Sequence, residues 1–119
     1  MKPAAPRRGE VWRLDFDPAQ GHEQAGLRPA LIVSDDDFNQ LPWRLCVALP
    51  LSTTLRLFSL HVLIQPPEGG CRQASVIMCQ HLRSVSLDRL DKRLGAVSAA
   101  TLAEVDQRMK SILALAGRA

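Results

Sequence analysis

The residues most capable of chemistry stand close together. Glu23 and Arg28 flank Gly26 in one polar stretch, and Ser52, Thr53 and Thr54 follow an apolar run further on. A carboxylate can take a proton, a guanidinium can hold an anion, and hydroxyls can donate to one. Taken together these side chains suit proton transfer beside a stabilised anion. The bland reading is strong too: charges five residues apart in a loop are most often a solvated pair worth well under about 1 kcal/mol, and a Ser/Thr cluster is most often a turn. Other chemistries lack their motifs. Gly26 stands where the second histidine of an H-E-x-x-H metal site beginning at His22-Glu23 would be, and His61 and His81 share no close ligand spacing. No G-x-S-x-G elbow, phosphate-binding lysine loop or G-x-G-x-x-G fingerprint occurs. Neither a metal nor an organic cofactor is expected. Cys46, Cys71 and Cys79 form no C-x-x-C pair, and two of the three fall in apolar runs, so structural thiols of a reducing compartment are expected.

The surroundings of these residues favour an anionic partner. The chain of 119 residues carries a net charge of +3, and 12 of its 15 basic residues are arginine, whose planar fork of donors suits phosphate. From Phe38 to Leu87 the only acid is Glu68, against Arg44, Arg56, Arg72 and Arg83. Aromatic residues make up 4% with no tyrosine, which argues against a base-stacking platform. No apolar run approaches the roughly 20 residues that span a bilayer, and the start lacks a signal-peptide core. A cytoplasmic protein without a membrane partner is expected.

The elements that must position the candidate residues are short strands. Trp12, Leu14 and Phe16 alternate with Arg13, Asp15 and Asp17, the pattern of a half-buried strand over 10–17 that ends at Pro18. After the polar loop a second strand should run from Arg28 to Ser34, central and buried, with Pro29 near its start. Asp35-Asp36-Asp37-Phe38-Asn39 suits a capped helical turn that Pro42 stops. Further strands are predicted over 44–49, 60–65 and 74–79 and near 94–97, with Pro50 to Thr54 and Pro66 to Gly70 as punctuation. Ser98 can cap a helix over about 99–115, whose Leu102, Val105, Met109, Ile112 and Leu113 recur at three- and four-residue steps. Residues 1–8 read as an N-terminal tail and 9–119 as one domain. The expectation is a mainly β protein, a small SH3-like β-barrel closed at one side by helices.

Several segments then carry a resemblance. Arg8-Gly9-Glu10-Val11-Trp12, Asp15-Phe16-Asp17-Pro18, Gly21-His22-Glu23-Gln24-Ala25-Gly26-Leu27-Arg28-Pro29-Ala30, Val33-Ser34 and Asn39 occur in that order. This arrangement resembles the MazF/PemK/Kid family of toxin endoribonucleases. Val47-Ala48-Leu49-Pro50-Leu51-Ser52 and Gln80-His81-Leu82-Arg83-Ser84-Val85 are similar to two later family segments, so the likeness spans nearly the whole chain. It implies a homodimer that cuts single-stranded RNA at short motifs and is neutralised by a MazE-like antitoxin.

The resemblance also implies site roles. Arg28 would clamp the scissile phosphate. Glu23 would accept the 2′-hydroxyl proton or orient Arg28. Ser52 or Thr53 would supply a hydroxyl where the family commonly has threonine. His22, Gln24, Arg83, Gln80 and His61 would position RNA, as would His81, and Trp43 either stacks a base or packs at a contact. The products would be a 2′,3′-cyclic phosphate and a 5′-hydroxyl. Two rival readings remain open: a non-catalytic barrel similar to the gyrase poison CcdB, which would not need the Glu23 to Pro29 loop, and a metal-dependent nuclease.

Overall fold

In a computed structural model the described residues are 4–17, 26–56 and 58–115. They form seven strands, β1 (Glu10–Asp15), β2 (Leu27–Ile32), β3 (Leu45–Ser52), β4 (His61–Ile64), β5 (Ser75–Met78), β6 (Arg83–Ser86) and β7 (Leu90–Ala96). A single-turn helix α1 (Asp36–Asn39) lies between β2 and β3, and a longer helix α2 (Ala99–Leu113) follows β7. The strands make one antiparallel sheet in the order β4-β5-β3-β2-β1-β7, with β6 also paired to β3. Among the described residues this path curls without closing, because β4 and β7 remain its two ends. The expected mainly β fold with a C-terminal helix is what forms.

The centre of the sheet follows from two-sided burial. Leu31, Leu49, Leu51, Val62, Ile64 and Ile77 project to one face, where Val105 of α2 packs on them. Leu14, Phe16, Ala30, Ile32, Ala48 and Val85 fill the other. β2 and β3 both contribute residues to each set, which is why each reads as a near-continuous apolar run. α2 starts at Ser98, whose Oγ accepts from the Thr101 N–H at 3.1 Å. Leu113, expected on the packed face of α2, is 47% exposed.

Other boundaries differ from the sequence reading for identifiable reasons. Pro50, expected to punctuate, lies inside β3 opposite Ala30. It falls where β3 changes neighbour, between the β6 pairs at 45–48 and the β5 pairs at 51–52, a place where a missing N–H removes no regular ladder bond. β7 is longer than expected: Asp91, Lys92 and Arg93 are exposed on an edge strand, so its outer half carries no apolar signal. β6 was not foreseen, because Val85 alone of its four residues is buried. The described part of the expected tail is tied down: the Arg8 N–H donates to Asp36 Oδ1 at 2.7 Å, and Asn39 Nδ2 donates to the Pro6 carbonyl at 3.0 Å.

Candidate active site

Register is what brings the distant candidates together. Ala30 pairs with Pro50 and Ile32 with Ala48; continuing that antiparallel register two residues places Arg28, near the start of β2, opposite Ser52, the last residue of β3. Directly opposed residues share a face, so guanidinium and hydroxyl stand on one side of the sheet. Both line a depression of about 370 Å3 with Leu27, Pro29, Thr53 and Ser75. Both also line a second depression of about 310 Å3, which continues to Phe58, His61, Gln80 and His81. Arg28 and Ser52 are therefore the shared boundary between two adjoining hollows. Thr53 opens onto only the first of them.

The loop expected to carry Glu23 is anchored at both ends. Asp15 and Leu27 pair across β1 and β2, the Phe16 N–H donates to the Gly26 carbonyl at 2.9 Å, and the Gly26 N–H donates to Asp17 Oδ1 at 3.0 Å. Gly26 has φ of 78° with nothing within 4 Å of a built Cβ, so glycine is required by backbone conformation and not by space. Arg89 donates to the carbonyls of Asp15, at 3.2 Å, and Asp17. His22, Glu23 and Gln24 lie outside the described residues.

The remaining candidates divide. His61 and Gln80 come together, with Gln80 Nε2 2.8 Å from His61 Nε2, although 19 residues separate them in the chain. Phe58, which sequence reasoning missed, meets the His61 ring edge-on at a centroid distance of 5.1 Å. Thr54 donates its N–H to Ser52 Oγ at 3.1 Å, which turns the chain out of β3 and fixes the hydroxyl oxygen. Arg83 does not line either hollow. It sits opposite Ala48 on β6 with its guanidinium 5.6 Å from the centroid of the buried Phe16 ring, and its Nη1 is buried without a hydrogen-bond partner. Trp43 is 61% exposed.

A roomier depression of about 510 Å3 at another part of the fold is lined by Trp12, Leu41, Leu87 and Leu90 together with Arg44 and Asp91, whose charges are paired with Asp88 and Arg13. The thiols are unsuited to attack: burial pushes Cys46 up to about 12 and Cys79 up to about 11, so neither supplies thiolate near neutral pH. Among the described residues no three His, Cys, Asp or Glu side chains converge as a metal site, and no helix is long and apolar enough to cross a membrane.

Comparison with known proteins places this arrangement in context. Residues 7–113 match the family described as PemK-like, MazF-like toxin of type II toxin-antitoxin system. The chain is 34% identical over 109 residues to endoribonuclease MazF9 of Mycobacterium tuberculosis, covering 87% of this chain and 92% of that one. It is 35% identical over 108 residues to endoribonuclease PemK of Escherichia coli, covering 89% and 80%. The crystal structure of MazF from Deinococcus radiodurans superposes with a TM-score of 0.82 at 31% identity, over 92% of this chain and 97% of that one. A mycobacterial endoribonuclease solved in complex with its cognate antitoxin gives 0.77 at 28% identity, over 93% and 97%.

Proposed function

This chain belongs to the family of PemK-like, MazF-like toxins of type II toxin-antitoxin systems, and from that premise we propose that it cuts single-stranded RNA at short sequence motifs, without a metal ion, by attack of the RNA's own 2′-hydroxyl. It is an endoribonuclease toxin, and its protein partner is a cognate antitoxin. The observation that carries the mechanistic reading is the shared boundary formed by Arg28 and Ser52 between two hollows. A phosphodiester joins two nucleosides, so a phosphate held on that boundary leaves one hollow for each neighbour.

The reaction asks little else of the protein. The 2′-oxygen forms a bond to phosphorus while the bond to the 5′-oxygen breaks. The 2′-hydroxyl loses its proton to a base, and the departing 5′-oxygen gains one. Charge gathers on the non-bridging oxygens between these events. Arg28 stabilises that charge, since a guanidinium offers two parallel donors and keeps its own protons. Ser52 donates its hydroxyl to the same oxygens, its own oxygen already held by the Thr54 N–H. Glu23 takes the 2′-proton or orients Arg28.

In this reading the protein works as a homodimer in the cytoplasm. Its support is β4, an edge strand with Leu63 53% exposed, and Phe58 and Leu113 bare to similar degrees; an open apolar edge of this kind is ordinarily covered. Sedimentation at monomer mass would remove that part. The central test incubates purified protein with a long single-stranded RNA in excess EDTA and identifies the new ends. Cyclic phosphate and 5′-hydroxyl ends are expected. Absence of cleavage, or 5′-phosphate ends, would overturn the mechanism.

A further inference from the structure

Arg28 has its ladder partner on the β1 side. It pairs with Leu14, and Leu27 pairs with Asp15, whereas the pairs between β2 and β3 end at Ala30 with Pro50. The backbone that carries the guanidinium therefore leans on the last residues of β1, and those are held differently on their two sides. Toward β2 the ladder continues through Phe16, whose N–H donates to the Gly26 carbonyl. Toward β7 it stops earlier: the last pair is Leu14 with Leu90, just after a register shift between Arg13 and Leu14. Backbone groups alternate in direction along a strand, so with Phe16 turned to β2 the carbonyls of Asp15 and Asp17 point the other way. Among the described residues no strand meets them there.

Arg89 meets them instead. Its Nη1 donates to the Asp15 carbonyl at 3.2 Å and to the Asp17 carbonyl, so one nitrogen ties together two carbonyls two residues apart. The turn that carries it, Leu87–Arg89 between β6 and β7, is itself fixed. Ser86 Oγ accepts from the Asp88 N–H at 3.1 Å, and the Leu87 N–H donates to the Arg44 carbonyl at 3.0 Å. Leu87 and Leu90 pack on the cluster that holds Leu14 and Phe16. Water can satisfy the carbonyl of an exposed residue such as Asp17. What water cannot do is anchor the end of β1 to a rigid turn.

We propose that Arg89 is a positioning residue for the cleavage site: its guanidinium takes the place of the strand that β7 does not provide, and through Asp15 and Leu14 it holds Arg28 in place. Arg89 lines neither hollow, so its effect on cleavage runs through the end of β1 and not through the RNA. The inference rests on the reading of Arg28 as the group that stabilises the transition state and adds the residue that sets its place.

The experiment is a double-substitution cycle read by cleavage of a fluorescent single-stranded RNA in EDTA. Arg89→Met keeps the methylenes and removes the donors. Misplacing a reacting group by about 1 Å can cost a hundredfold in rate, so kcat should fall roughly tenfold to a hundredfold while KM holds. In an Arg28→Ala background the same change should cost less than about threefold, because the group it positions is gone. Arg89→Lys, whose ammonium can donate to both carbonyls, should recover part of the loss. Arg93→Ala removes an arginine from β7 that pairs with Glu10 at 2.7 Å, toward the other end of β1, and should leave kcat unchanged. Hydrogen exchange adds a readout apart from activity: the backbone of 27–30 should exchange faster in Arg89→Met, and that of 45–48 should not. If Arg89→Met fails to fold by circular dichroism, Arg89→Gln goes through the same cycle. A folded variant with kcat within about threefold of the wild type, a loss equally large with and without Arg28, or a raised KM at unchanged kcat would overturn the inference and leave the nuclease intact. A wild type that cuts no RNA would overturn both.

Discussion

Truncating Arg28 tests the proposed mechanism at its most exposed point. The residue is half-buried near the start of β2, opposite Leu14 on one neighbour and by register opposite Ser52 on the other. Its methylenes cover little that the core needs, since Leu14, Phe16 and Ala30 are already fully buried. Arg28→Ala should therefore cost no more than about 1 kcal/mol in stability, visible as a small shift in urea midpoint. Its effect on rate is of another order. Loss of one preorganised donor to a developing oxyanion costs about a hundredfold to a thousandfold in kcat, and a charged fork making two such bonds belongs at the upper end. Arg28→Lys keeps the charge and loses the fork, so it should fall between, roughly tenfold to a hundredfold down. Single-turnover cleavage of a fluorescent RNA in EDTA separates the terms. If Arg28 acts on the transition state, kcat falls and KM holds. If it binds only the ground-state phosphate, KM rises and kcat holds. An Arg28→Ala protein that melts like the wild type and cuts within about fivefold of its rate would refute the role.

The other expectations are narrower. Ser52→Ala should slow cleavage roughly tenfold and Thr53→Ala by less than about threefold, because only Ser52 borders both hollows; the reverse order in the same assay would assign the hydroxyl to Thr53. Burial raises the Glu68 carboxyl, but hydrogen bonds from the Thr101 hydroxyl and from the Ser98 N–H and hydroxyl outweigh it and hold it below its ordinary 4.5. A lowered folded-state value gives stability that is present above 4.5 and lost as pH falls through the folded value. Glu68→Gln should consequently lower the urea midpoint at pH 7, by about 1 kcal/mol in stability, and make progressively less difference as the pH falls below 4.5. With Cys46 pushed up to about 12 and Cys79 to about 11, a thiol reagent at pH 8 should label only the half-buried Cys71 in the native protein and all three in urea.

The sequence was most readable where chain-local rules apply. The alternation of Trp12, Leu14 and Phe16, the N-caps at Asp35 and Ser98, and the periodicity of α2 each depend on residues within one turn or one strand, and each forms as expected except at Leu113, which ends α2 exposed. It was least readable at edges. Among the described residues β7 has a strand neighbour on one side only and exposes Asp91, Lys92 and Arg93, and β6 is a four-residue strand paired to β3. The site divides in the same way. Arg28 stands in a local motif and could be singled out, whereas the His61–Gln80 pair depends on where β4 meets the turn after β5. Nothing in the spacing of two polar residues 19 apart announces that contact.

The dependence on register has a further consequence for where the site's precision comes from. Arg28 is the second residue of β2 and Ser52 the last of β3, both beyond the last pair that these strands form with each other, Ala30 with Pro50. Their relative position is set by Leu31 with Leu49 and by Ile32 with Ala48, which are fully buried and project to opposite faces of the sheet. A slip of one residue between these strands would place Leu49 on the face that Ile32 fills and Ser52 on the side away from Arg28. Both faces are packed, so the slip would disrupt two clusters at once. The proposed catalytic pair is thus held in place by core residues three and four positions away. The chain on either side of residues 18–25 is pinned by the hydrogen bonds of Phe16 and Gly26. Core packing fixes Arg28 relative to Ser52, and the pinned stem at Phe16 and Gly26 adjoins Arg28 through the Asp15–Leu27 and Leu14–Arg28 pairs.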